Sequence, residues 1–205
     1  MSEAGDRGQG SEVRVGRRSV LAGIAAAAFS GTLPLADAQH VHQAAAADTK
    51  AAGGIYKPKA FTDHEFATMR TLFDIIVPGA SKGHAAEFVD ILAAQNNDLL
   101  AIFTGGLAWL DFAMKKNYDA PFLTAKSGDQ TAMLDQIAYR KNETPELAAG
   151  IRFFVWARRM AVDGYYTSAA GIKEIGFMGN GAVKEFQVPQ EAIDYAVKRS
   201  PFAAG

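Results

Sequence analysis

The sequence predicts an all-α protein, with five or six helices in one compact domain. Apolar residues recur at helical spacing in several segments, and recognisable helix-start and helix-stop signals flank these segments. No convincing run of alternating apolar and polar residues indicates a strand. From Tyr165 onward the chain becomes rich in glycine, which predicts an irregular C-terminal segment.

The predicted elements follow one another along the chain at short intervals. A capping box of Thr62 and Glu65, with Phe61 and Phe66 as a hydrophobic staple, opens the first helix. The predicted helices are 62–77, a short amphipathic one around 88–92, about 98–116, 127–140 and 144–163, followed by a short piece at 170–175 and a final piece at 190–198.

The last long helix carries three specific expectations. Thr144-Pro145 is expected to be its N-cap and first helical residue, and Gly164 the residue just past its end. Its buried stripe is expected to comprise Leu147, Ile151, Phe154, Val155 and Val162. The earlier predicted helix, at about 98–116, is expected to bury Leu99, Phe103, Leu107, Leu110 and Met114.

Composition excludes several classes of protein. The chain has 205 residues, 21 basic and 22 acidic, so its formal net charge is −1, which argues against a nucleic-acid binder. A hydrophobic fraction of 49% argues against a disordered chain. The absence of cysteine excludes disulfides, thiolate-held clusters, cysteine nucleophiles and covalent c-type haem.

The N-terminal segment has the organisation of an export signal. The adjacent Arg17 and Arg18 precede an apolar stretch of Ala and Gly that ends near Leu35. Ala36 and Ala38 then supply small residues before a cleavage point predicted after Ala38. The pattern resembles a twin-arginine (Tat) signal peptide, which implies the Tat translocase as a partner and a periplasmic location.

This signal divides the chain into three predicted parts. Residues 1–38 are the signal peptide, 39–60 an Ala-rich flexible lead-in, and 61–205 the helical domain. The apolar stretch is too short to span a bilayer, so we expect membrane association only through a complex.

A search for catalytic, metal-binding and cofactor-binding motifs assigns no residue to any of these roles. None of the histidines at 40, 42, 64 and 84 belongs to a metal-ligand motif. The glycines at 176, 179 and 181 lack the spacing and the preceding strand of a dinucleotide site. Asp111 could form a buried ion pair with Arg158 or Arg159, a structural role more often than a catalytic one.

Aromatic residues are the strongest candidates for an interface with another protein. The candidates are Trp109, Phe153, Trp156, Tyr165 and Tyr166. Phe153 and Trp156 lie off the predicted buried stripe of their helix, so either that helix is buried on most sides or one face meets a partner.

The order and spacing of several short motifs resemble the gluconate 2-dehydrogenase subunit 3 family. The matching stretches are 61–66 (FTDHEF), 75–79 (IIVPG), 106–111 (GLAWLD), Phe153-Phe154 and 163–168 (DGYYTS), with glycines at 171, 176 and 179 and Asn180. The resemblance covers about Phe61 to Asn180.

This resemblance implies a small, non-catalytic subunit of a membrane-associated dehydrogenase. Its large partner would be an FAD-dependent flavoprotein of the glucose-methanol-choline type, and a cytochrome c subunit with haem c would accept the electrons. The small subunit would help the flavoprotein mature and carry it through the Tat channel. The alternatives are a stand-alone periplasmic ligand- or cofactor-binding protein exported in the folded state, and a paralogue that serves another oxidoreductase.

Overall fold

The all-α prediction is confirmed by a computed structural model. It describes residues 17–30, 34–177 and 188–199, and within these ranges it contains nine α-helices and no strand. The helices are α1 (Arg17–Ser30), α2 (Leu35–Ala51), α3 (Asp63–Ile76), α4 (Ala85–Ala93), α5 (Asn97–Tyr118), α6 (Ser127–Ile137), α7 (Ala148–Tyr166), α8 (Ala169–Glu174) and α9 (Gln190–Arg199). Gly179 and Gly181, in the predicted irregular C-terminal segment, lie outside the described residues.

The chain divides into two compact units, one ending at Ile175 and one starting at Gly176. In the second unit, α9 confirms the predicted final helix. The Gln190 amide donates to Asp194 Oδ1 at 2.8 Å within this helix, and the Arg199 guanidinium lies 4.2 Å from the centre of the Tyr195 ring.

Helix α4 lies at the centre of the first unit. All nine of its residues are buried, because α1, α2, α3, α5 and α7 all pack against it. The predicted amphipathic character is therefore wrong: a short helix surrounded by others has no solvent-facing side. Two of its residues, Glu87 and Asp90, bring carboxylates into this interior.

The start and end of α3 follow the predicted local signals. The Thr62 hydroxyl accepts from the Glu65 backbone N–H at 3.3 Å, and the Glu65 carboxylate accepts from the Thr62 backbone N–H at 2.9 Å. The helix ends before Pro78, and Gly79 then takes a positive φ of 90°. The capping box is confirmed.

Helix α5 confirms its predicted buried stripe, but α7 differs from its prediction at three places. It begins at Ala148, because Thr144 instead closes a preceding turn by accepting from Leu147 N. Val155 and Val162 are about 40% exposed (41% and 39%) rather than buried. Gly164 lies within the helix, and there a Cβ would come within 3.0 Å of Ala85 Cα on α4.

The segment expected to be a flexible lead-in contains most of α2. Ala38, Val41 and Ala45 recur at helical spacing and are buried against the rest of the unit. Alanine has the highest helix propensity, and this stripe of small side chains allows close packing on α4. Helix α1 also joins the core through Ile24, Ala25 and Ala28.

Candidate functional site

A groove between α5 and α7 contains both tryptophans of the chain. Its volume is about 330 Å³, and its walls come from one face of each helix. The lining residues are Ile102, Gly105, Gly106 and Trp109 from α5, and Ala149, Arg152, Phe153 and Trp156 from α7. The two tryptophans are half-buried, so each presents part of its indole at the surface.

Reciprocal packing of glycines against aromatic rings brings these two helices together. Phe153 of α7 fills the space that a side chain at Gly106 would need, with Phe153 Cε2 only 2.5 Å from an ideal Cβ position. Trp109 of α5 fills the corresponding space at Gly150, with its Cζ2 2.7 Å from an ideal Cβ. The ring of Phe153 then meets Phe103 edge to face at a centroid distance of 5.7 Å.

Of the five predicted interface aromatics, the structure brings three together in this groove. Trp109 and Trp156 form its partly exposed walls, and Phe153, only 4% exposed, forms its floor. Tyr165 and Tyr166 lie at the far end of α7, where their rings meet at 5.0 Å, and Tyr165 is 5% exposed. Phe153 and Tyr165 therefore have little surface to offer a partner.

Sequence reasoning missed two residues of this surface. Phe112 lies three positions after Trp109 on α5 and is 68% exposed, the largest exposed fraction of any aromatic side chain among the described residues. Arg152 lies on the α7 side of the groove, one turn before Trp156. Helical spacing from Trp109 could have identified Phe112, because positions i and i+3 share a face.

Arg159 lies on α7 about one turn after Trp156, next to the groove. Its guanidinium lies 5.1 Å from the centre of the Trp156 ring, and it also donates to the backbone oxygen of Ala28. It forms a 3.7 Å ion pair with Asp163 of its own helix, where burial raises the pKa of the Asp163 carboxyl although the guanidinium opposes that shift.

The possible ion pair between Asp111 and Arg158 or Arg159 is not found among the described residues. Asp111 instead faces α3, where its Oδ2 lies 2.6 Å from His64 Nε2, and its Oδ1 accepts from Phe122 N at 2.9 Å. This arrangement ties α3, α5 and the 122–124 turn together.

The buried Asp90 is a structural anchor that sequence reasoning missed. It is fully buried, and its carboxylate accepts from the Tyr56 hydroxyl at 2.7 Å and from the backbone N–H groups of Lys59, Ala60 and Phe61 at 2.8, 2.9 and 3.3 Å. Burial, followed by the Asp90 carboxylate, raises the pKa of Tyr56. These bonds attach the chain before α3 to the central helix.

A second cavity of about 600 Å³ lies between α2, the 80–83 turn and α8. Its polar lining comes from His42, Thr49, Lys50, Lys82, His84 and Ser168. His84 Nδ1 lies 3.3 Å from Oε1 of the buried Glu87, and this hydrogen bond is the main cause that raises the pKa of His84. Burial, with a contribution from His84, lowers the pKa of His42 to about 4.

The predicted export residues lie at the N-terminal helices. Arg17 and Arg18 begin α1, but their side chains lie outside the described residues. Ala36 and Ala38 lie in the first turn of α2, and Ala38 is fully buried. Among the described residues no helix combines the length and the apolar character needed to cross a bilayer, and no three His, Asp or Glu side chains converge to hold a metal.

Comparison with known protein families gives a match over more than half of the chain. The family model of gluconate 2-dehydrogenase subunit 3 matches residues 63–184, a stretch that begins at α3 and includes α4 through α8. No curated protein and no solved structure matches the chain.

Proposed function

The chain belongs to the gluconate 2-dehydrogenase subunit 3 family, and from this premise we propose that it is a non-catalytic accessory subunit of an FAD-dependent dehydrogenase. The large partner would be a glucose-methanol-choline-type flavoprotein, and a cytochrome c subunit would accept its electrons. The observation that carries the proposal is the family match across 63–184, because it includes every helix that builds the α5–α7 groove. FAD and haem c would belong to these partner subunits.

The flavoprotein would dock on the α5–α7 groove. Trp and Arg are the residue types most enriched among those that dominate binding energy at protein interfaces. This groove combines Trp109, Trp156 and Arg152 with the adjacent, largely exposed Phe112. The glycine–aromatic packing beneath these residues fixes their positions before binding, which lowers the entropy cost of association.

Export would be a second part of the accessory role. The paired Arg17 and Arg18 begin α1 and precede its apolar stretch, the organisation that a twin-arginine signal requires. Because that route carries folded proteins, one signal on this chain could bring an already assembled flavoprotein to the periplasm. The complex would then associate with the membrane through its other subunits.

Co-purification with a co-expressed glucose-methanol-choline-type flavoprotein tests the docking surface. Trp109→Ala should weaken capture of the flavoprotein by roughly tenfold or more, since a central aromatic anchor contributes about 2 kcal/mol, and Phe112→Ser, beside the groove, should weaken it by less. Tyr139→Ser is the matched control, because Tyr139 is an aromatic residue with 56% exposure outside the groove. Equal capture by all three variants would refute this docking surface.

The stand-alone alternative is tested by purifying the chain by itself. An accessory subunit should show no flavin absorbance and no stoichiometric metal in that preparation. A chain that contained one flavin or one metal ion per molecule would instead be a cofactor-binding protein in its own right.

A further inference from the structure

The cavity between α2, the 80–83 turn and α8 has cationic side chains around it. Lys50 of α2, Lys82 of the turn and His84 all contribute to its wall, and no residue in its described lining is acidic. The volume of about 600 Å³ falls within the usual range for a small-molecule site. The groove proposed for the flavoprotein shares no lining residue with this cavity.

A buried carboxylate lies behind the cavity, beside His84. The side chain of Glu87 is only 5% exposed, and His84 is the basic group within ion-pair distance of it. Its Oε2 has no hydrogen-bond partner among the described residues, so the His84 ring supplies the hydrogen bond that this carboxylate receives. An unpaired buried carboxylate is costly, and this cost favours the imidazolium form of His84.

The backbone around His84 is held in an uncommon conformation. His84 has a positive φ of 56°, which non-glycine residues adopt rarely and which occurs at binding sites more often than elsewhere. The preceding Gly83 packs so closely that a Cβ there would lie 2.6 Å from the Tyr165 ring and 2.7 Å from Ser168 Oγ. Close packing on one side and the Glu87 contact on the other fix the His84 ring at the cavity.

The other histidine at the cavity has a different role. His42 Nε2 lies 3.0 Å from Thr167 Oγ1, and its ring packs against Phe88 at a centroid distance of 4.9 Å. Its lowered pKa makes it neutral at pH 7. The positive charge at this cavity therefore comes from the two lysines, and the Glu87 carboxylate favours protonation of His84 beside them.

We propose that this cavity binds a small organic carboxylate, whose anionic group pairs with Lys82, Lys50 and His84. Ammonium and imidazolium groups form charge-assisted hydrogen bonds with a carboxylate, and the hydroxyls of Thr49 and Ser168 offer further polar contacts beside them. The binding site is a property of this chain alone and does not depend on the accessory role.

Titration calorimetry of the purified full chain with citrate tests this proposal. Wild-type protein in low-salt buffer at pH 7 should bind one citrate, and Lys82→Ala and His84→Gln should each weaken binding roughly threefold to tenfold. Lys115→Ala is the matched control, because Lys115 is an exposed lysine in the last turn of α5, away from the cavity. This control should leave citrate affinity unchanged.

Two further measurements make the outcome decisive. Circular dichroism of each variant separates loss of binding from loss of folding. Lys82→Ala removes an exposed side chain and should leave the helical signal intact. Glycerol, a neutral polyol, should not bind. No citrate binding by the folded wild type, or equal weakening by Lys82→Ala and Lys115→Ala, would overturn the proposal.

Discussion

Replacing Gly106 with alanine should destabilise the fold, whereas the same change at Gly105, one residue earlier on α5, should stabilise it. An ideal Cβ at Gly106 would lie 2.5 Å from Phe153 Cε2 and closer still to Cγ and Cδ2, far inside the roughly 3.4 Å of ordinary carbon contact. At Gly105 no atom lies within 4 Å of the new Cβ. The two substitutions add the same methyl group to the same helix, so they differ only in what that group meets.

The expected magnitudes follow from two opposing effects. Gly→Ala in a helix interior stabilises by about 1 kcal/mol, and this is the whole effect expected at Gly105. Overpacking a core costs about 1–3 kcal/mol, and the upper end applies at Gly106 because Phe153 is 4% exposed and also packs against Phe103. We therefore expect Gly106→Ala to be less stable than wild type by roughly 2 kcal/mol.

Urea unfolding followed by circular dichroism measures this difference. The free energies of unfolding of the two variants should lie about 3 kcal/mol apart, with wild type between them. Equal stability of Gly105→Ala and Gly106→Ala would show that α5 and α7 do not approach as closely as the structure has them. Such a result would also remove the rigid base that the docking groove requires.

Two further predictions concern buried polar groups. Asp90→Asn should lower the free energy of unfolding, measured by urea titration, by about 3–5 kcal/mol. The reason is that the new amide nitrogen would face backbone N–H donors that now share a carboxylate. The exposed Asp135→Asn is the control and should change the free energy of unfolding by less than about 0.5 kcal/mol. Burial lowers the pKa of His42 to about 4. The stability that the neutral ring contributes is therefore present above pH 6.5. Up to about 3 kcal/mol of it is lost as the pH is lowered toward 4. His42→Gln should flatten the stability profile between pH 6.5 and 4, and an unchanged slope would contradict this assignment.

Local signals in the sequence predicted the elements that depend on local interactions. The capping box at Thr62 and Glu65 is an example, because both of its hydrogen bonds form within four residues. The buried stripe of α5 was equally predictable, since large apolar side chains at helical spacing identify it. By contrast, α2 was missed because its stripe consists mainly of alanine, which carries little hydrophobic signal.

Features that require two distant segments could not be predicted in the same way. The packing of Phe153 on Gly106 depends on how α5 and α7 cross, which no spacing within either helix reveals. The hydrogen bonds of Asp90 join residues about thirty positions apart. One signal was available, however, because an acidic residue in the apolar run 85–93 must find donors if that run is buried.

The export of the flavoprotein is the most direct test of the accessory role. The measurement is flavoprotein content and flavin absorbance in the periplasmic fraction of cells that co-express both chains, with either the wild-type chain or the Arg17→Lys/Arg18→Lys double variant. The wild-type chain should bring flavin-loaded partner to the periplasm, whereas the double variant should leave the partner in the cytoplasm. Equal amounts of periplasmic flavoprotein in both cases would contradict the proposed role of this chain in export.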